Sequence, residues 1–156
     1  MIRKVKNWLG IESVKIELIL PPEVPYGKNI LKGVMLLTSP SNQTIRGAHV
    51  RFIEKFERGK QDEKRINDFL LGEWKFEREL EVPADEKVFI PFKIPLRWKY
   101  SDIDLWSQKN IFNAGIAKLA KRFHGVQSVY RIEGSIQVDG AKLQPFYKAE
   151  MDVIDP

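Results

Sequence analysis

The chain has 156 residues, enough for one domain that buries its own core without metals or crosslinks. Its 43% hydrophobic and 30% charged residues exclude wholesale disorder, and the absence of cysteine excludes a disulfide scaffold, a thiol nucleophile and any thiolate metal site. The net charge of +5 favours acidic partners, but acids and bases alternate through Glu54–Arg58 and Lys60–Arg65 as they do on a solvated face. Unmixed positive charge occurs in the first six residues and again from Lys118 to Arg122.

In chain order, residues 2–9 place Ile2, Val5, Trp8 and Leu9 on one side of a short helix, an N-terminal element spanning about 1–10. Basic residues there are not followed by a continuous apolar run, so the segment does not read as a secretory signal. No stretch approaches the roughly 20 apolar residues of a membrane-spanning helix. A cytoplasmic protein, with peripheral membrane contact as an option, is the expectation.

Strands follow. Ile16, Leu18 and Leu20 share one face of a strand that stops at Pro21-Pro22. Residues 30–38 form a mostly apolar strand interrupted by Lys32 and Gly33, and Val50, Phe52 and Phe56 mark a third. Trp74, Phe76, Leu80 and Val82 alternate with Lys75, Glu77, Glu79 and Glu81, with Arg78 the exception on the inward side. Val88, Ile90, Phe92, Ile94 and Leu96 alternate with Lys87, Phe89, Pro91, Lys93 and Pro95. Prolines on the second set place this strand partly at an edge or in a bulge. Tyr130, Ile132, Ile136 and Val138 define a sixth strand, and Tyr147, Ala149, Met151 and Val153 a seventh.

Between the last two groups the alternation gives way to helical spacing. Over about 105–125, Phe112, Ile116, Leu119 and Phe123 recur three and four apart, with Lys118, Lys121 and Arg122 elsewhere on the helix. These seven residues are the candidate surface for a partner or an anionic membrane. The alternative is that the apolar side covers the flank of the fold. Asp104 is placed to cap this helix.

The order of features resembles the N-terminal domain of the arrestin-like superfamily, and most closely the sporulation-control (sporulation stage zero protein M) family. The resemblance rests on Leu9-Gly10-Ile11 with Val14-Lys15-Ile16, on Tyr26–Val34, on Ile45–Phe52, and most specifically on Phe89-Ile90-Pro91-Phe92-Lys93-Ile94-Pro95-Leu96. Tyr130–Gly134 and the Asp139–Pro145 turn complete it. Tyr26-Gly27 stands where the superfamily has Pro-Gly, and the second sandwich domain usual in relatives is absent from this sequence. The resemblance implies a non-catalytic adaptor or scaffold and offers no catalytic residue.

The residues themselves suggest little chemistry. His49 and His124 lack a metal-ligand pattern, and no nucleophile elbow or phosphate-cradling loop is present. Asp102 and Asp104 read as loop residues, although two carboxylates in one cleft would open a carbohydrate- or lipid-active alternative. The aromatic residues fall on inward stripes and the basic ones do not gather on one strand face, which argues against nucleic acid.

The expectation is therefore an all-β, antiparallel, immunoglobulin-like (arrestin-type) sandwich of about seven strands over residues 1–156, with two helical additions. It binds a protein partner through a sheet edge or a concave face, needs no cofactor or metal, and leaves homo-oligomerisation open. Peripheral membrane binding through the basic helix is the alternative.

Overall fold

The computed structural model describes residues 14–58, 65–98 and 127–155. Nine strands fall within them: β1 (Lys15–Ile19), β2 (Glu23–Pro25), β3 (Ile30–Thr38), β4 (Gln43–Arg58), β5 (Arg65–Phe76), β6 (Leu80–Val82), β7 (Val88–Pro95), β8 (Gln127–Val138) and β9 (Phe146–Ile154). A three-stranded sheet has the order β1-β3-β7, and a larger one the order β2-β9-β8-β4-β5, with β6 also against β4. The helices expected over 1–10 and 105–125 lie outside the described residues, as do all seven candidate residues from Phe112 to Phe123.

Period-two alternation builds the core. Ile16, Leu18, Leu31, Met35, Leu37, Ile90, Phe92 and Ile94 of the small sheet meet Val50, Phe52, Ile132, Ile136 and Val138 of the large one in a single buried cluster. Each fully buried side chain of this kind contributes about 1.5–3 kcal/mol relative to exposure. The sheets are therefore held by the alternation that the sequence displays.

Three expectations need correction. The strand read through Trp74 to Val82 is two strands, because the chain leaves β4 after Phe76 and rejoins it at Leu80. Arg78 lies exposed in that gap, since a charge on the inward parity has no place in the core. The sandwich is also not wholly antiparallel: β2 runs parallel to β9, pairing Glu23 with Asp152 and Pro25 with Ile154. A three-residue strand is too short to announce itself by alternation. Its role is to cover the edge of β9, and the Tyr26 N–H extends the pairing to the Ile154 carbonyl at 2.7 Å. With β2 and the division of β5 from β6, nine described strands replace the expected seven.

Immediately after β2, the Lys28 N–H bonds the Pro25 carbonyl at 3.1 Å, closing a tight turn. Gly27 stands in it at φ 87°, a conformation glycine adopts without steric cost. The turn is thus made with Tyr26-Gly27.

β7 is an edge strand, as its prolines imply. Backbone direction can be read at its exit. The Leu96 N–H points to β3's side and bonds the Asn29 carbonyl, whereas the Arg97 N–H points away from β3 to the Leu71 carbonyl, both at 2.8 Å. Even-numbered residues of β7 thus face the β3 ladder, and odd-numbered residues face the open edge. Pro91 and Pro95 are odd. They cost the ladder nothing and remove two of the donors that an added strand would need.

The two sheets come into close contact where β7 ends. Opposite the Phe52/Ile53 step of β4, β5 carries one additional residue, Leu71, in a bulge. Gly72 beside it lies under the Pro95 carbonyl oxygen and Ile94, and a Cβ there would come within 2.6 Å of Ile94 Cγ2. Beyond this point Trp98 donates Nε1–H to the Lys28 carbonyl at 2.9 Å. Its ring packs on Tyr26, Phe52 and Tyr130 with centroids 4.8, 6.1 and 5.8 Å away. Burial, and then the charge and hydrogen bond of Glu54, push the Tyr130 hydroxyl far above the ordinary tyrosine range, so it remains a neutral donor.

Candidate functional site

Alternation that fills a core also fixes what faces away from it. On the larger sheet many outward residues are charged and matched across strands, interspersed with exposed Leu70, Val129 and Phe146. Glu73, Arg51, Glu133 and Lys148 form one row across β5, β4, β8 and β9. Arg51 reaches Glu133 at 2.6 Å, while Arg131 bonds Glu133 and Asp68, each at 3.0 Å. Burial opposes ionisation of Glu133, but the two arginines outweigh it and hold its carboxyl below the usual range. This face is internally neutralised.

A concavity of about 470 Å³ lies over Gly47, lined by residues that include Arg46, His49, Lys75, Ser135 and Gln137. Its strongest charges are already engaged. Arg46, the additional residue of a second bulge, grips both carboxylate oxygens of Asp139 at 3.2 Å, and His49 Nε2 lies 2.7 Å from Glu73. The histidine considered as a ligand is therefore half of a surface pair. Among the described residues no group of three His, Asp or Glu side chains could hold a metal ion, and Asp102, Asp104 and His124 lie outside them. No helix among the described residues is long and apolar enough to cross a membrane.

The outward face of the small sheet is different. Register places Ile19, Val34 and Pro91 in one row and Glu17, Leu36 and Phe89 in the next. Phe89 is 56% exposed, Ile19 50% and, further along β3, Ile30 41%. A contiguous apolar surface with polar borders is the usual mark of an interaction site. At one end of it Lys32 and Lys93 stand directly opposite each other, both exposed. A cavity of about 640 Å³ is bordered here by Lys32, Val34, Pro91 and Lys93 on the outward side and by Phe92 and Trp74, whose rings pack together, on the core side. Gly33 is required, because a Cβ at that position would run into the Phe92 ring.

None of these residues was expected to form a site. The signal was present nonetheless: Phe89 and Ile19 are large apolar residues on the parity of their strands that otherwise carries lysine, glutamate and proline.

A model of the SpoOM protein family, Spo0M, matches residues 2–101, which is more than half of the chain. The protein belongs to the Spo0M family. The matched stretch includes β1 to β7, hence the whole small sheet and its outward face. Among solved structures, the fold is similar to that of Spo0M, a sporulation control protein from Bacillus subtilis. The TM-score is 0.61 at 11% identity, over 92% of this chain and 50% of that one. At that identity the likeness concerns fold, and this Spo0M-family chain spans about half the length of the Bacillus protein. No curated protein matches the sequence.

Proposed function

We propose that this Spo0M-family chain is a non-catalytic regulatory module of arrestin-type architecture that works by holding a protein partner. The observation that carries the reading is the exposed apolar surface of Ile19, Phe89 and Pro91 on the small sheet, joined across three strands by half-buried Val34 and Leu36. Family membership supports a regulatory role, since the similar Bacillus protein is described as a sporulation control protein. Of the two expected modes of recognition, a face is favoured over the β7 edge because Pro91 and Pro95 withhold donors there.

Site-specific photo-crosslinking tests the reading. A photoreactive amino acid is placed at Ile19, on the proposed face, or at Val129, which is exposed on the opposite sheet. One defined protein species should crosslink from position 19 and not from position 129 in cells making the chain. Identical crosslinking from both positions would refute it.

A further inference from the structure

Resting on that reading, we propose that the segment bound on this face is an acidic peptide with one bulky apolar side chain, its carboxylates lying across Lys32 and Lys93. Three features point to this occupant. The first is the lysine pair. Lys32 and Lys93 are directly opposed in the β3–β7 register, where like charges disfavour the sheet. Among the described residues no ion pair or hydrogen bond engages either side chain, whereas Arg46, Arg51 and Arg131 on the larger sheet all face carboxylates. The parity of β7 makes this a pair without mutual backbone hydrogen bonds, so the two side chains stand at the closer of the two cross-strand spacings. Two ammonium groups held side by side suit two carboxylate oxygens.

The second feature is the cavity. Val34 and Pro91 give it apolar walls on the side of the same two lysines, while Phe92 and Trp74 border it from the core side of β7. An apolar anchor entering it brings flanking carboxylates to the lysines, which is the arrangement of buried centre and charged border found in specific interfaces. The third feature is the distribution of charge over the rest of the face. Towards the start of β7 it is mixed, with Lys15 bound to Glu17 at 3.0 Å and Asp85 and Glu86 exposed in the preceding turn. An anionic lipid surface would meet those carboxylates as well as the lysines and would present no single side chain to the cavity. A peptide can confine its charge to the lysine end.

A peptide array probed with the full chain tests the proposal. The anchor position carries Leu, Phe, Trp or Ser, and the flanking positions carry Glu, Gln or Lys. Phe- or Leu-anchored peptides with Glu flanks should bind at least about tenfold more tightly than their Gln counterparts, a preference that weakens as salt is raised. The double variant K32E/K93E should lose that preference and gain one for Lys flanks. Both positions are exposed, and an unchanged denaturation midpoint certifies the fold. Binding that ignores the flanking charge, a preference retained by the double variant, or binding to phosphatidylserine-containing vesicles without binding to any peptide would overturn the proposal. If a partner still crosslinks at position 19 in K32E/K93E with undiminished yield, the acidic occupant falls and the docking face stands. If nothing crosslinks there in the unaltered chain, the docking face itself falls.

Discussion

The backbone N–H of Arg97 donates to the carbonyl oxygen of Leu71 at 2.8 Å, and through that bond the end of β7 is fastened to the bulge of β5. Neither residue contributes its side chain. The contact exists because Leu71 is the additional residue that turns a carbonyl out of the β4 ladder, and because Gly72 leaves room for Pro95 and Ile94 to come close.

Gly72→Ala therefore places a methyl group against a backbone oxygen that cannot move aside cheaply. The expected loss is about 3 kcal/mol, the upper range for overpacking a core. Urea denaturation followed by tryptophan fluorescence measures it. A loss below about 0.5 kcal/mol would mean that the two sheets can separate at this end without consequence.

Phe92 and Phe89 lie three residues apart on opposite faces of β7, and should respond oppositely to truncation. Phe92→Ala empties a buried position against Trp74, 5.7 Å away between ring centres, and should cost about 3–5 kcal/mol. Phe89→Ser, at a residue already 56% exposed, should stay within about 0.5 kcal/mol of the unaltered chain. It should also remove crosslinking from position 19.

Stability should fall on acidification below the ordinary carboxylate range. Glu133 is opposed by burial but has its folded-state pKa depressed by Arg131 and Arg51, and Asp68 is depressed chiefly by its hydrogen bond from Arg131. A depressed folded pKa means the unfolded chain takes up the proton first. The contribution is fully present above the unfolded carboxylate pKa, near 4 to 4.5, and is lost as pH falls through the folded value. Denaturation midpoints measured from neutrality down to acid should show this decline, and Glu133→Gln should flatten it. At neutral pH, Glu133→Ala leaves two arginines facing a deleted partner and should cost about 2 kcal/mol.

Trp98→Phe keeps most of the ring packing on Tyr26 and Tyr130 but deletes the Nε1–H bond to the Lys28 carbonyl. The expected cost is about 1 kcal/mol. Amide hydrogen exchange should localise the loosening to the turn at residues 26–29. Uniform loosening across β4 and β8 would instead mark Trp98 as part of the central core.

What could be read from the sequence was whatever repeats every second residue. The inward stripes of β1, β3, β7, β8 and β9 follow from side-chain parity, and the two prolines of β7 narrow that strand to an edge or a bulge. What could not be read depends on contacts between distant residues. β2 is three residues long and exists because β9 has an edge to cover. The bulge at Leu71 has no local signature, since Gly72 earns its place only from the arrival of Pro95. Arg78 was correctly conspicuous, but its meaning, a break between β5 and β6, required knowing where β4 runs. The docking face went unread for a different reason: Phe89 and Ile19 were visible as outward residues, but their adjacency is created by register across three strands.

The parity of β7 ties together properties that could otherwise vary independently. Odd positions carry the prolines, the outward Phe89 and Lys93, and the N–H directions of the open edge, while even positions carry Ile90, Phe92 and Ile94. Deleting Val88, with the following residues moving up by one, would put the Pro91 ring where a hydrogen bond is needed, the Phe89 ring into the core and Ile90 into water, all at once. Point substitutions on this strand should be individually tolerated on its outer side, but its length admits no change of one, so β7 is a segment where drift in composition is open and drift in count is closed.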